Sequence, residues 1–235
     1  MTLNHSLYLG EPKGRGPSTF SPGVHLLGRF GYATCGCFLL ECNGETAIVE
    51  TPVFGRTTGG PIRRAKSLGP KPTFVLFSHS HSDHNDGMAA YSRSFPMARP
   101  MFHSSFRSDR TFMWRLSRTK WGQKGRTGEF TGAIVRLHLG GEPLILIHAP
   151  KHSWTDVMVV FRGVMITGDW WLGKGDPNPN GIPHDVAVES CERLLEFGSI
   201  YRIHTLVSAH ANDIRRGVNF LKIMDETRKF HKQFR

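Results

Sequence analysis

The 235-residue chain predicts a mixed β-sandwich flanked by helices, an α/β architecture in which two similar halves share one core. Three observations carry that prediction. Strand-like apolar runs followed by helical stretches occur in the first half and again in the second. Asn43-Gly44 separates two of those runs, a strong hairpin signal. "TFVLF" (73–77) is continuous, β-rich and preceded by "GPKP", as expected of a strand buried on both faces.

Taken in order, residues 1–23 are rich in Gly, Pro and Ser and read as an irregular arm, with 24–235 as a single domain. "VHLLG" (24–28), "CFLLEC" (37–42) and "TAIVE" (46–50) are strand-like, and 59–69 supplies a short helix ending at glycine. After "TFVLF" the theme returns in "AIVRLHL" (133–139), "LILIHA" (144–149), "DVMVVFRG" (156–163) and "VMITG" (164–168). A helix is expected over 186–200 and a strand over 204–209. Ile214, Val218 and Leu221 fall at i, i+4 and i+7, predicting a last helix capped by Asn212 or Asp213.

Composition narrows the function. At 39% hydrophobic and 21% charged residues the chain is of ordinary globular type, not disordered. No apolar run approaches the roughly 20 residues that cross a bilayer, so no membrane association is expected. The start lacks a basic segment followed by an apolar one, so a secretory leader is not expected. Cys35, Cys37, Cys42 and Cys191 are too few for a disulfide scaffold and read as buried thiols, which points to a cytoplasmic protein. The net charge of +11 favours anionic partners but names none.

The chemistry concentrates in "FVLFSHSHSDHNDG" (74–87). On an extended segment i and i+2 point the same way, so His79 and His81 can grip one ion together. Asp83 and His84 follow where the strand should turn into a helix and can face a neighbouring ion. Imidazole with carboxylate suits Zn, Fe or Mn, and the absence of thiolate argues against a closed structural zinc site.

These residues resemble the H-x-H-x-D-H signature of the metallo-β-lactamase-fold hydrolases. The resemblance continues through His152 in "IHAPKHSWTD", Asp169 in "VMITGDWW" and His210 in "LVSAHAND", and spans about residues 24–225. It implies a four-layer αββα sandwich and a two-metal centre, with zinc the leading choice and Fe or Mn the others. His79, His81 and His152 would hold one ion, Asp83, His84 and His210 the other, and Asp169 would bridge them. Two such ions about 3.5–4 Å apart acidify a bridging water to hydroxide and polarise the scissile group, and Asp83 can orient that hydroxide. The implied activity is hydrolysis of an ester, thioester, lactone or similar bond of a small anionic molecule. Phosphodiester or RNA cleavage by the same centre, and iron-dependent dioxygenation, are the alternatives; a homo-oligomer is compatible with either. The chain departs from the family pattern at Glu50-Thr51-Pro52, Lys151 and Asn85-Asp86, which reshapes the rim without touching the ligands.

Two further stretches bear on substrate. Residues 92–130 carry nine Arg and Lys, from Arg93 to Arg126, against Asp109 and Glu129, with Phe102, Phe106, Phe112, Trp114 and Trp121 interleaved. That mixture can bind phosphates and stack bases. It reads slightly better as a helix over 104–118 with Phe106, Met113 or Trp114 turned inward and the arginines solvated; a third reading has a few of these arginines steering a small anion. In "WWLGKGDPNPNGIPHD" (170–185), Trp170 and Trp171 could wall the site or cap the core, and His184 could protonate a leaving group or be an ordinary surface residue. His103, His138, His148 and His204 are not expected as ligands, although His148 lies close enough to His152 to support it.

Overall fold

The computed structural model describes residues 18–30, 35–52, 59–69, 71–171, 181–210 and 214–234. The first half runs β1 (Ser18–Ser21), β2 (Val24–Phe30), β3 (Cys35–Cys42), β4 (Glu45–Val49), α1 (Gly59–Leu68), β5 (Phe74–Leu76), α2 (Ser82–Asn85) and α3 (Met88–Ser94). It continues through β6 (Arg99–His103), a 3-10 turn over Ser104–Ser108, α4 (Arg110–Ser117), α5 (Lys120–Gln123) and β7 (Gly128–Phe130). The second half holds β8 (Ile134–Leu139), β9 (Glu142–His148), β10 (Val157–Phe161), β11 (Val164–Ile166), α6 (His184–Ile200), β12 (Thr205–Val207), β13 (Ile214–Arg216) and α7 (Phe220–Lys232).

These strands form two sheets. The first is ordered β1 to β7, and the second β13-β12-β11-β10-β9-β8. In each sheet consecutive antiparallel hairpins lead to parallel pairing, β4 with β5 in the first and β11 with β12 in the second. The expected hairpin is present: Asn43 and Gly44 adopt φ of 45° and 81°, the doubly left-handed turn whose twist matches its strands.

Alternation along the second sheet explains the layers. Val157, Val159 and Phe161 of β10 join the core between the sheets, whereas Met158 and Val160 pack under Leu194 and Phe197 of α6 and Met224 of α7. A strand buried on both faces reads as a continuous apolar run, and each fully buried side chain of this size contributes about 1.5–3 kcal/mol. Residues of α1, α3 and α4 pack against the first sheet, which completes the αββα order.

Two expectations are corrected. Ser18–Ser21, placed in the irregular arm, pairs with β2 as an edge strand; residues 1–17 lie outside the described residues. Ile214 belongs to β13, which pairs with β12, and the last helix begins only at Phe220. Asn219 is its cap, its side chain accepting from Lys222 N at 3.0 Å; Asn212 and Asp213, expected in that role, lie outside the described residues. Sheet pairing and a left-handed Gly217 (φ 63°) override the helical spacing of Ile214, Val218 and Leu221.

Candidate metal centre

Strand β5 ends in the core, and the chain runs on through His79 to an extended His81 (φ −61°, ψ 146°) before α2 begins. Ser78 anchors this exit: its carbonyl accepts from Val157 N at 2.6 Å, tying the first sheet to β10. Its N–H donates to Glu50 Oε1 at 3.1 Å. The other ligand candidates arrive on the turn after β9 (His152), after β11 (Asp169) and after β12 (His210). Gly168 allows Asp169 to approach. Its φ is +57°, and a Cβ there would meet Ser78 Oγ at 2.2 Å.

The structure brings all seven candidates together. His152 Nε2 lies 3.2 Å from His81 Nδ1, and ligand atoms of His79, His81 and His152 all lie within 4.8 Å of one another. On the other side, His210 Nε2 is 3.1 Å from His84 Nε2 and 3.0 Å from Asp83 Oδ2. Asp169 stands between the two groups. Its Oδ2 is 3.6 Å from His152 Nε2 and 3.9 Å from His79 Nε2. Its Oδ1 is 3.2 Å from His210 Nε2 and 3.4 Å from His84 Nε2.

The two groups differ electrically. Burial, reinforced by neighbouring imidazoles, lowers the pKa of His79, His81 and His152, so three neutral rings converge their lone pairs. In the other group burial opposes charging of His210, but Asp169 and Asp83 outweigh it and lift its pKa to about 10. Burial likewise opposes ionisation of Asp83, yet the hydrogen bond from His210 keeps it below the ordinary carboxyl value.

A cation fits this donor set. His79 Nε2 is buried with no hydrogen-bond partner, facing the cluster as a neutral acceptor. The rear ring nitrogens are held, as metal-binding imidazoles require. His79 Nδ1 meets Ser78 Oγ at 3.0 Å, and His84 Nδ1 lies 3.4 Å from Glu50 Oε1 and 3.6 Å from Cys35 Sγ. Glu50 is wholly buried at φ 67°, a strained backbone at the site.

No protein-family model matches the chain. It is 26% identical over 156 residues to a hydroxyacylglutathione hydrolase from Anaeromyxobacter dehalogenans, a match covering 64% of this chain. The chain spans about half the length of that curated relative, 52%. Among solved structures, a metallo-β-lactamase family protein from Thermus thermophilus aligns with a TM-score of 0.67 at 18% identity, over 92% of this chain and 81% of that one. This chain has the metallo-β-lactamase fold. The rubredoxin oxygen:oxidoreductase of Desulfovibrio gigas also aligns, with a TM-score of 0.66 at 14% identity, over 92% of this chain and 62% of that one. Proteins named for hydrolytic and for redox chemistry thus share this scaffold, so the reaction must be argued from the site.

Around the metallo-β-lactamase core the remaining candidates fall elsewhere. His184 Nδ1 lies 2.8 Å from His231 Nδ1 and its ring stacks on Phe234; none of the seven cluster residues is among these contacts. Trp170 is buried in the core beneath α6, so it caps that core and does not wall the site. His148 stacks on His103 with centroids 3.6 Å apart and meets the Trp154 carbonyl through Nε2 at 3.0 Å, not His152. Cys35, Cys37, Cys42 and Cys191 are all buried. No helix among the described residues is long and apolar enough to cross a membrane.

The expected helix over 104–118 is broken. Asp109 accepts from Thr111 N and Phe112 N at 2.9 and 3.0 Å, starting α4 afresh and turning Phe112 and Leu116 inward. Phe102, Phe106, Phe112 and Trp121 lie in the core, and Trp114 alone of these five is exposed. One open indole is no ladder for stacking bases. Arg115 has a structural duty: it donates to Asn85 Oδ1 at 3.1 Å and pairs with Asp86 at 2.7 Å, fastening the end of α2.

Three supporting residues escape a sequence reading. Asp156 Oδ2 accepts from the N–H groups of Lys151, His152 and Ser153 at 2.9, 2.6 and 2.9 Å, shaping the His152 turn. Burial raises its pKa to about 6 against those hydrogen bonds. Cys35 backs His84. Arg29, also buried, donates to the carbonyls of Ser208 and Ala209, immediately before His210.

Proposed function

We propose that the chain is a dinuclear metal-dependent hydrolase cleaving an ester, thioester, lactone or related bond of a small anionic molecule. The observation that carries this reading is Asp169, which turns one oxygen to His79 and His152 and the other to His84 and His210. A carboxylate shared between two imidazole groups is what two closely spaced dications need to offset their repulsion. His79, His81 and His152 would hold one ion, and Asp83, His84 and His210 the other. Nitrogen and oxygen donors of this kind suit zinc, with iron or manganese also compatible. When bound, the pair supplies Lewis acidity that lowers the pKa of water and polarises an acyl group.

The protein's own contribution is positioning. Glu50 and Ser78 hold rear nitrogens of His84 and His79, and Asp156 holds the His152 turn. Asp83, kept ionised and at half-exposed depth, is placed to accept a proton at Oδ2 and to aim a nucleophilic water.

Metal analysis of reconstituted protein joined to a panel of esters, thioesters, lactones and phosphodiesters tests the reading. Two equivalents of metal and turnover of an acyl substrate, both lost in Asp169→Ala, are expected. A ceiling of one equivalent sinks the dinuclear centre. Turnover confined to phosphodiesters sinks the acyl assignment.

A further inference from the structure

A cavity of about 460 Å³ opens beside His81 and is walled by Arg110, Ser153, Trp154, Thr155 and Ile182. Its walls come from separate segments: the exit from β5, the turn after β9, the start of α4 and the chain leading into α6. The volume falls within the roughly 300–1,000 Å³ typical of small-molecule sites.

Most polar groups around it are already engaged. Thr155 Oγ1 accepts from Ser80 N at 3.0 Å, Ser153 Oγ donates to Asp156 at 2.6 Å, and Asp109 on the same wall is the cap of α4. The Arg110 side chain is exposed and makes no hydrogen bond or ion pair with any described residue. Trp154 is 54% exposed, an unusual state for an indole next to a cluster of metal-liking side chains.

We propose that this cavity recognises a carboxylate-bearing substrate with a flat or apolar body. Arg110 pairs the carboxylate, whose geometry matches the guanidinium fork, and the Trp154 indole covers the apolar part. The far end of the substrate then lies against His81. Asp109 on the same wall disfavours a dianion such as a phosphomonoester and leaves a singly charged carboxylate as the better fit. The reaction assigned to the bound molecule rests on the hydrolase reading; the binding assignment does not.

The test compares metal-loaded protein on mono(4-nitrophenyl) succinate and on its neutral counterpart, 4-nitrophenyl butyrate. Arg110→Ala should lower the charged-to-neutral ratio of kcat/KM about tenfold, mainly through KM, as loss of one charge-assisted contact predicts. Trp154→Ala should raise KM for both esters. Arg107→Ala, in the same segment but paired with Glu129, is the control and should leave the ratio in place. An unchanged ratio in Arg110→Ala, or an equal fall in Arg107→Ala, overturns the proposal. If the unaltered protein cleaves neither ester, the hydrolase reading loses its ester branch only, and calorimetric titration with phenylacetate decides the cavity. Binding that weakens at least about fivefold in Arg110→Ala upholds it; equal binding in the two proteins, or none in either, overturns it.

Discussion

Asp156 turns one carboxylate oxygen onto the backbone N–H of His152, 2.6 Å away. The same oxygen accepts from the two flanking N–H groups, so the whole turn is wrapped around one atom. Asp156→Ala would strand those buried donors and should cost about 3 kcal/mol or more in urea unfolding. Metal affinity of the His79, His81 and His152 group should fall at least about tenfold, measured by chelator competition. Asp156→Asn retains an acceptor oxygen and should lose less of both.

Gly168 faces Ser78 at a distance no Cβ tolerates. Gly168→Ala adds a contact at 2.2 Å and a side chain at φ +57°, and should destabilise by about 3 kcal/mol. Trimming the partner in Gly168→Ala/Ser78→Gly should recover only part of this, because the left-handed backbone still costs about 1 kcal/mol. Full recovery would show that the backbone term is negligible.

Arg115 holds the Asn85-Asp86 end of α2, the helix that carries Asp83 and His84. Arg115→Met keeps the packing of the stem and removes the fork. Its expected effect is an affinity loss of about tenfold at the Asp83, His84 and His210 group, with little change in folding stability. Chelator titration against thermal unfolding separates the two.

His148 is held neutral: burial lowers its pKa from 6.5 to about 4. Between those values the unfolded chain binds a proton that the folded chain refuses, so stability from this group is complete above pH 6.5 and is lost as pH falls toward 4. At pH 5 the loss is at most about 2 kcal/mol, reduced because the ring is only partly buried. Unfolding at pH 7 and pH 5 should show a smaller drop in His148→Gln than in the unaltered protein.

How much of this was legible differs from residue to residue. His79, His81, Asp83 and His84 stand out because their spacing along one segment is a local property, whereas His152, Asp169 and His210 follow only from the resemblance to the family; the structure gathers all seven. Asp156 was hidden because its role is played by backbone donors, which leave no mark in residue type. The contacts of Cys35 with His84 and of Arg29 with the Ser208 and Ala209 carbonyls join positions far apart in the chain. Phe106 turns inward as its spacing predicts, but Phe112 does so in place of Met113 or Trp114 because the Asp109 cap resets the helical phase. The last helix begins later than the spacing of Ile214, Val218 and Leu221 predicts because pairing of β13 with β12 outweighs that periodicity.

The cluster is supplied by both sheets: His79, His81, Asp83 and His84 follow a strand of the first, and His152, Asp169 and His210 follow strands of the second. The distance between donor groups is therefore a readout of how the two sheets sit on each other. A methylene removed from the inter-sheet core, remote from any ligand, should be felt at the centre as misalignment before the fold is lost. The halves cannot drift apart in sequence independently: a substitution that shifts one sheet is tolerated only when the other follows it.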